Sequence, residues 1–245
     1  MSTMNRMLAP LALSFVLFAP SANALSAQEM LKKATETLYP GSYQMSCEMR
    51  LMRPEKKDQV YRMTVYKKGE DKSLAEFSYP ASERERKLLR VKDNLWMYMP
   101  SIKRAIRIAP RDRLFGGEVS NNDLTRVDYN LDYTATLVGK ENYKGTKAVR
   151  LNLKAVNNTV PYDRVEWVLE ANSYLPLHMD LFTQSGKLLK TIDYEEPKLF
   201  DGMRRPSLMV MKNTLQDGYV TSVTVSDLEA KSFPDSMFTQ AALSK

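Results

Sequence analysis

A chain of 245 residues with 43% hydrophobic content and one cysteine can bury a large core but cannot close an internal disulfide. Its net charge of +7, from 36 Lys and Arg against 29 Asp and Glu, favours acidic partners, which for an exported chain means a membrane surface or lipid headgroup rather than nucleic acid. With a single histidine, no clustered metal ligands, no Gly-rich phosphate loop and no nucleophile elbow, the sequence predicts neither metal nor cofactor.

The chain opens with Arg6, the apolar run LAPLALSFVLF and the small-residue end Ser21-Ala22-Asn23-Ala24, the order expected of a secretory signal peptide. Pro10 and Pro20 bracket the run and argue against a buried helix. Cleavage after Ala24 predicts a mature chain from Leu25. Lipid attachment would need a cysteine at that point, and the only one is Cys47. Residues 1–24 are therefore read as a signal peptide and 25–245 as one domain, free in the periplasm.

From Leu25 to Tyr39 the apolar positions Leu31, Ala34 and Leu38 recur at helical spacing, with Ser26 as N-cap and Pro40-Gly41 as a stop. The period then changes to two. Tyr43, Met45, Cys47, Met49 and Leu51 alternate with Gln44, Ser46, Glu48 and Arg50, which predicts a strand with one buried face; Cys47 sits on that face as a small hydrophobe. Further strands are expected at about 60–67, 72–79, 86–92, 94–99 and 104–109. The segment RDRLFGG reads as a loop, and Ser120 with Asp123 as the start of a short helix. Strands resume at 133–138, 148–155, 164–169, 176–184, 187–195, 206–215 and 218–228, with turns at Ser185-Gly186 and Asp217-Gly218. The fold class is mainly β: one curved antiparallel sheet whose apolar face the few short helices cannot wholly cover.

Catalytic constellations are missing. His178 shares a strand face with Asp180 and Phe182 and reads as an ordinary surface histidine. Glu195-Glu196 precede Pro197 as solvated turn residues rather than an acid/base pair. The stretch Leu95 to Met99 is unusual, because Leu95, Met97 and Met99 point one way, Trp96 and Tyr98 the other, and both faces are apolar. Methionine outnumbers phenylalanine, 15 to 8, and many methionines fall in strands: Met45, Met49, Met63, Met97, Met99, Met179, Met209 and Met211. Unbranched and polarizable, methionine suits either a generic core or a cavity for apolar ligands of varied shape.

The order VYKKGEDKSLAEFSYPASERERKLLRVKDNLWMYMPSIKRAIRI, with GGEVSNNDL, SYLPLHMDLFTQSGKLLK and FPDSMFTQAAL further on, resembles the LolA-like outer-membrane lipoprotein-sorting proteins. The resemblance implies an incomplete β-barrel with helices over its open mouth and an apolar cavity that shields acyl chains in the periplasm. On that basis Tyr43, Met45, Met49, Leu51, Met63, Leu95, Met97 and Met99 are expected to line the cavity.

The family's lid is held by an arginine at the end of an early strand, before a proline; the matching position here is Lys68, followed by Gly69. Lysine lacks the guanidinium fork, which suggests a divergent branch that includes proteins linked to RND-type exporters. Trp96 and Tyr98 are then available either to a partner or to cover by the 109–129 loop. The basic run from Arg84 to Arg113 reads as a solvated hairpin face or as a patch for transient membrane contact. The functional expectation is a carrier of lipoprotein or lipid-like cargo toward an outer-membrane acceptor or exporter. An RseB-like lipid sensor and, less favoured, an enzyme for a small substrate are the alternatives.

Overall fold

The computed structural model describes residues 25–125, 129–157 and 160–244; the expected signal peptide lies outside them. Helix α1 (Ala27–Leu38) starts where Ser26 and Glu29 form a reciprocal capping box, with the Ser26 amide donating to Glu29 Oε2 at 2.8 Å. It ends at Tyr39, before Pro40. Its buried stripe is Met30, Leu31, Ala34, Thr35 and Leu38.

Thirteen antiparallel strands follow in one sheet. The first six are β1 (Ser42–Arg53), β2 (Lys56–Lys68), β3 (Lys72–Tyr79), β4 (Lys87–Val91), β5 (Asn94–Met99) and β6 (Arg104–Arg107). The other seven are β7 (Tyr133–Tyr143), β8 (Thr146–Ala155), β9 (Arg164–Glu170), β10 (Pro176–Phe182), β11 (Leu188–Phe200), β12 (Met203–Asn213) and β13 (Val220–Ala230). Each group of strands is a meander, and β1 pairs with β13 to join the two, giving the order 6-5-4-3-2-1-13-12-11-10-9-8-7. The outer strands β6 and β7 do not pair, so the barrel stays open. Register shifts at Ser46/Cys47, Arg62/Met63, Pro176/His178 and Leu137/Gly139 add local twist to the curving strands.

This order dictates where one connection must run. The chain leaves β6 at one edge and re-enters at β7 on the other, so the connection, of which residues 108–125 and 129–132 are described, crosses between the edges. It passes over the concave side, where Leu114 and Val119 join the main core. The crossing contains α2 (Asn121–Thr125) and α3 (Tyr129–Asp132), the short helix that Ser120 and Asp123 foretold: Asp123 accepts from the Ser120 amide at 2.9 Å. A last helix, α4 (Gln240–Leu243), closes the described chain.

Periodicity located the strands but shortened some of them. β2 begins at Lys56 and β7 extends to Tyr143. The added residues of β2 are exposed on both faces and those of β7 are exposed or half-buried, so no alternation with a buried face marks them.

Candidate functional site

The concave face is built from alternate residues of neighbouring strands. On β1, Tyr43, Met45, Cys47, Met49 and Leu51 are all buried and belong to one core with Met63, Leu95 and Met97. Met99 is half-buried and packs against the same core. All eight residues expected to line a cavity thus share one face of the sheet. Cys47 lies among them at 4% exposure, and burial pushes its thiol up to about 12, so it stays protonated and inert at neutral pH.

Helix α1 lies across this face and is held at both ends. Near its start, Gln28 acts as an extra rung on the free edge of β7: its Oε1 accepts from the Ala135 amide at 2.9 Å and its Nε2 donates to the Tyr133 carbonyl at 3.2 Å. Near its end, Arg205 of β12 donates from Nη1 to the carbonyls of Glu36, at 2.9 Å, and Thr37. These carbonyls belong to the last turn, which lacks intrahelical donors and carries the negative end of the helix dipole. Arg205 is 5% exposed, and burial lowers its pKa from the ordinary guanidinium value.

Lys68 does not hold the lid. Its ammonium pairs with Asp235 at 2.8 Å, beside Lys72 at 2.9 Å, and so fastens the C-terminal segment. An arginine preceding a proline does secure the helix, but it is Arg205-Pro206, on a late strand. The dipeptide is visible in MRRPSL, yet nothing local to it indicates a helix about 170 residues earlier.

Beneath the lid, aromatic rings from several elements pack together among the described residues. Tyr39 stacks on Tyr43 at 6.2 Å, and Tyr129 of α3 covers Trp167 at 4.8 Å. Between Leu38, Met45, Phe200, Arg205 and Met209 an apolar cavity of only about 10 Å³ remains, roughly the least that holds one water.

The crossing segment plugs the mouth beside α1. Phe115, at φ 51°, stacks on Tyr61 at 4.1 Å and meets Phe77 edge-on at 5.2 Å. Its carbonyl accepts from Arg53 at 3.1 Å. Gly117 is needed for close approach, since a Cβ there would come within 2.9 Å of Leu51. Lys190, buried on the concave face with Ile192 and Tyr194, donates to the Glu118 carbonyl and lies 3.7 Å from Asp123. Asp123 also accepts from the Tyr162 hydroxyl at 2.9 Å. Burial, with the Asp123 charge adding to it, raises the Tyr162 pKa well above its ordinary value. From the basic run, Arg90 is drawn into this plug at 3% exposure, donating to Asn122 Oδ1 at 2.8 Å. It is not part of a solvated face.

The second apolar face of β5 is also covered. Trp96 and Tyr98 pack in a separate cluster with Leu74, Leu89, Phe233, Phe238 and Leu243. Among the described residues the cover is the C-terminal segment. The signal was the amphipathic stretch FPDSMFTQAAL itself, whose Phe233 meets Tyr66 edge-on at 5.5 Å.

His178 is not an ordinary surface residue. Its ring lies between Asp193, 2.9 Å from Nδ1, and Asp180, 3.1 Å from Nε2. Asp193 is further bound by Lys212 at 3.2 Å and Lys144 at 3.4 Å. Burial alone would lower the His178 pKa, but the two carboxylates outweigh it and the net shift is upward. No group of three or more His, Cys, Asp or Glu able to hold a metal occurs among the described residues.

Comparison with known proteins finds similarity in both sequence and fold. A family described as "Uncharacterized protein" matches residues 69–245. A LolA superfamily protein from Nitrosomonas europaea superposes with a TM-score of 0.82 at 32% identity, covering 88% of this chain and 98% of that one. A protein domain assigned to outer membrane lipoprotein sorting, from Vibrio parahaemolyticus, gives a TM-score of 0.78 at 21% identity over 89% of this chain and 98% of its own. A DUF1329 family protein from Desulfovibrio piger gives 0.80 at 20% identity over 89% and 97%; these last two share the fold. No curated protein matches.

Proposed function

The chain belongs to the LolA superfamily, and from that premise we propose that it is a periplasmic carrier that takes an acyl-bearing cargo, a lipoprotein or lipid-like molecule, onto its concave face and delivers it toward the outer membrane. The reading is of carriage, with release to a membrane acceptor or exporter, and not of catalysis. One observation supports it above the rest: an amphipathic helix covers a methionine-rich sheet face and is tied down at its ends by the polar contacts of Gln28 and Arg205.

Magnitudes favour exchange of lid for cargo. Met30, Leu31 and Leu38 of α1 gain ~2 kcal/mol each from burial, about 6 kcal/mol together. An acyl chain of about fifteen methylenes gains ~12 kcal/mol on leaving water, at ~0.8 kcal/mol each. The cargo therefore outcompetes the helix for the face once the end contacts open. An acceptor needs only a modestly better apolar site to complete the transfer. No helix among the described residues is long and apolar enough to cross a membrane, so contact with the bilayer is transient in this scheme and the signal peptide directs export.

The test is saturable binding of a fluorescent fatty acid to purified protein, together with native mass spectrometry of protein taken from its own periplasm. Binding near one per chain and a co-purifying acyl compound are expected. Absence of both rejects the carrier reading.

A further inference from the structure

Trp167 sits at the centre of β9 on the concave face, directly across from Leu151 of β8 and Met179 of β10. It is fully buried. Hydroxyls in the same interior have partners: Tyr133 donates to the Tyr162 carbonyl at 3.0 Å, and Tyr162 to Asp123. The indole Nε1 of Trp167 has no hydrogen-bond partner among the described residues.

A buried donor left unpaired has a physical meaning. An unpaired buried N–H is a net cost to folding, and phenylalanine would offer an aromatic face without that penalty. The indole can only donate, so its missing partner is an acceptor. Leu151 cannot serve, and Met179 offers only a weakly accepting thioether. Beside its ring lies that of Tyr129 of α3, tilted by 51° with centroids 4.8 Å apart, and α3 packs against α1. The layer over Trp167 is thus continuous with the lid that the carrier reading requires to move.

Resting on that reading, we propose that Trp167 is a specificity-determining residue of the cargo site, donating its indole N–H to the carbonyl oxygen of an ester-linked acyl chain. An ester brings an acceptor and no donor, which matches a site with a spare donor and hydrocarbon on either side. An amide would introduce an N–H for which Leu151 and Met179 provide no good acceptor. The carbonyl marks the boundary between headgroup and chain, so this contact sets how deep the cargo sits. Diacyl phospholipid and diacylglyceryl lipoprotein share this chemistry.

The protein has two tryptophans, and Trp96→Phe leaves Trp167 as the sole emitter. In that background, binding is measured for diacyl phosphatidylglycerol against its dialkyl ether analogue, and for a diacylglyceryl lipopeptide against its dialkyl ether analogue. The ester member of a pair is expected to bind about tenfold more tightly, the equivalent of ~1.4 kcal/mol, and to shift Trp167 emission. Preference in both pairs indicates general ester recognition, and preference in one identifies the source.

Replacing Trp167 biosynthetically with benzothienylalanine keeps the ring shape and substitutes sulfur for N–H, and it should abolish the preference. Trp167→Phe should do the same if it folds. Equal binding of ester and ether in both pairs overturns the inference while leaving the carrier standing. A preference that survives the benzothienyl replacement also overturns it. Failure of all four lipids to bind removes the carrier reading and this inference together.

Discussion

Arg205 on β12 reaches the backbone carbonyl of Glu36 at the end of α1, 2.9 Å away, and so ties the covering helix to a strand far along the chain. Charge-assisted hydrogen bonds of this kind contribute about 1.5–3 kcal/mol. Arg205→Ala should therefore loosen α1 and speed uptake of a fluorescent fatty acid several-fold, and Arg205→Lys, with no planar fork, should fall between. Hydrogen exchange of the α1 amides and stopped-flow uptake measure both effects. Unchanged α1 exchange in Arg205→Ala would show that the guanidinium is not the tie.

A different residue holds the other cover. Asp235 pairs with Lys68 and Lys72, and these contacts lower its pKa to about 2. Because the folded value lies below the unfolded value of about 3.9, the contribution is present above pH 4 and is lost as pH falls through 2. Asp235→Asn should free the segment that carries Phe233 and Phe238, raising proteolysis there and reddening Trp96 emission. Fatty acid uptake should not change, since the Lys68 ammonium is engaged by Asp235; a changed uptake rate in Lys68→Ala would contradict this assignment.

His178 ties stability to pH. Its folded pKa is raised by Asp180 and Asp193, above an unfolded value of about 6.5. The stabilisation is full below pH 6.5 and disappears as pH rises through the folded pKa. Urea unfolding at pH 5.5 and 8.5 should show wild type losing stability relative to His178→Gln at the higher pH. Parallel behaviour of the two proteins would mean the carboxylates do not hold the imidazolium.

Lys190 and Asp123 form an ion pair at 3.7 Å with 9% and 11% side-chain exposure. Removing one partner from a buried pair costs about 3–5 kcal/mol because the other charge is stranded. Lys190→Met should lower stability by about 3 kcal/mol, and adding Asp123→Asn should recover part of the loss. Urea midpoints of the single and double variants test the coupling. Strict additivity would show that the two side chains do not share their energy.

Much of the architecture was legible locally. The alternation of Tyr43, Met45, Cys47, Met49 and Leu51 determines which side of β1 is buried, because strand side chains alternate whatever the strand pairs with. The capping box at Ser26 and Glu29 determines where α1 begins.

Tertiary structure alone decided what covers each face. Leu95 to Met99 shows two apolar faces and cannot say that one meets the core while the other meets Phe238, some 140 residues on. Lys68, expected to stand in for a lid arginine, pairs with Asp235, and Arg205 takes the helix instead. Periodicity records the environment of a side chain, buried or wet, and is set by neighbours in sequence. A latch between a guanidinium and two backbone carbonyls leaves no periodicity, because its partners are any two residues at a helix end, brought within reach only once the sheet has curved and the helix has crossed it.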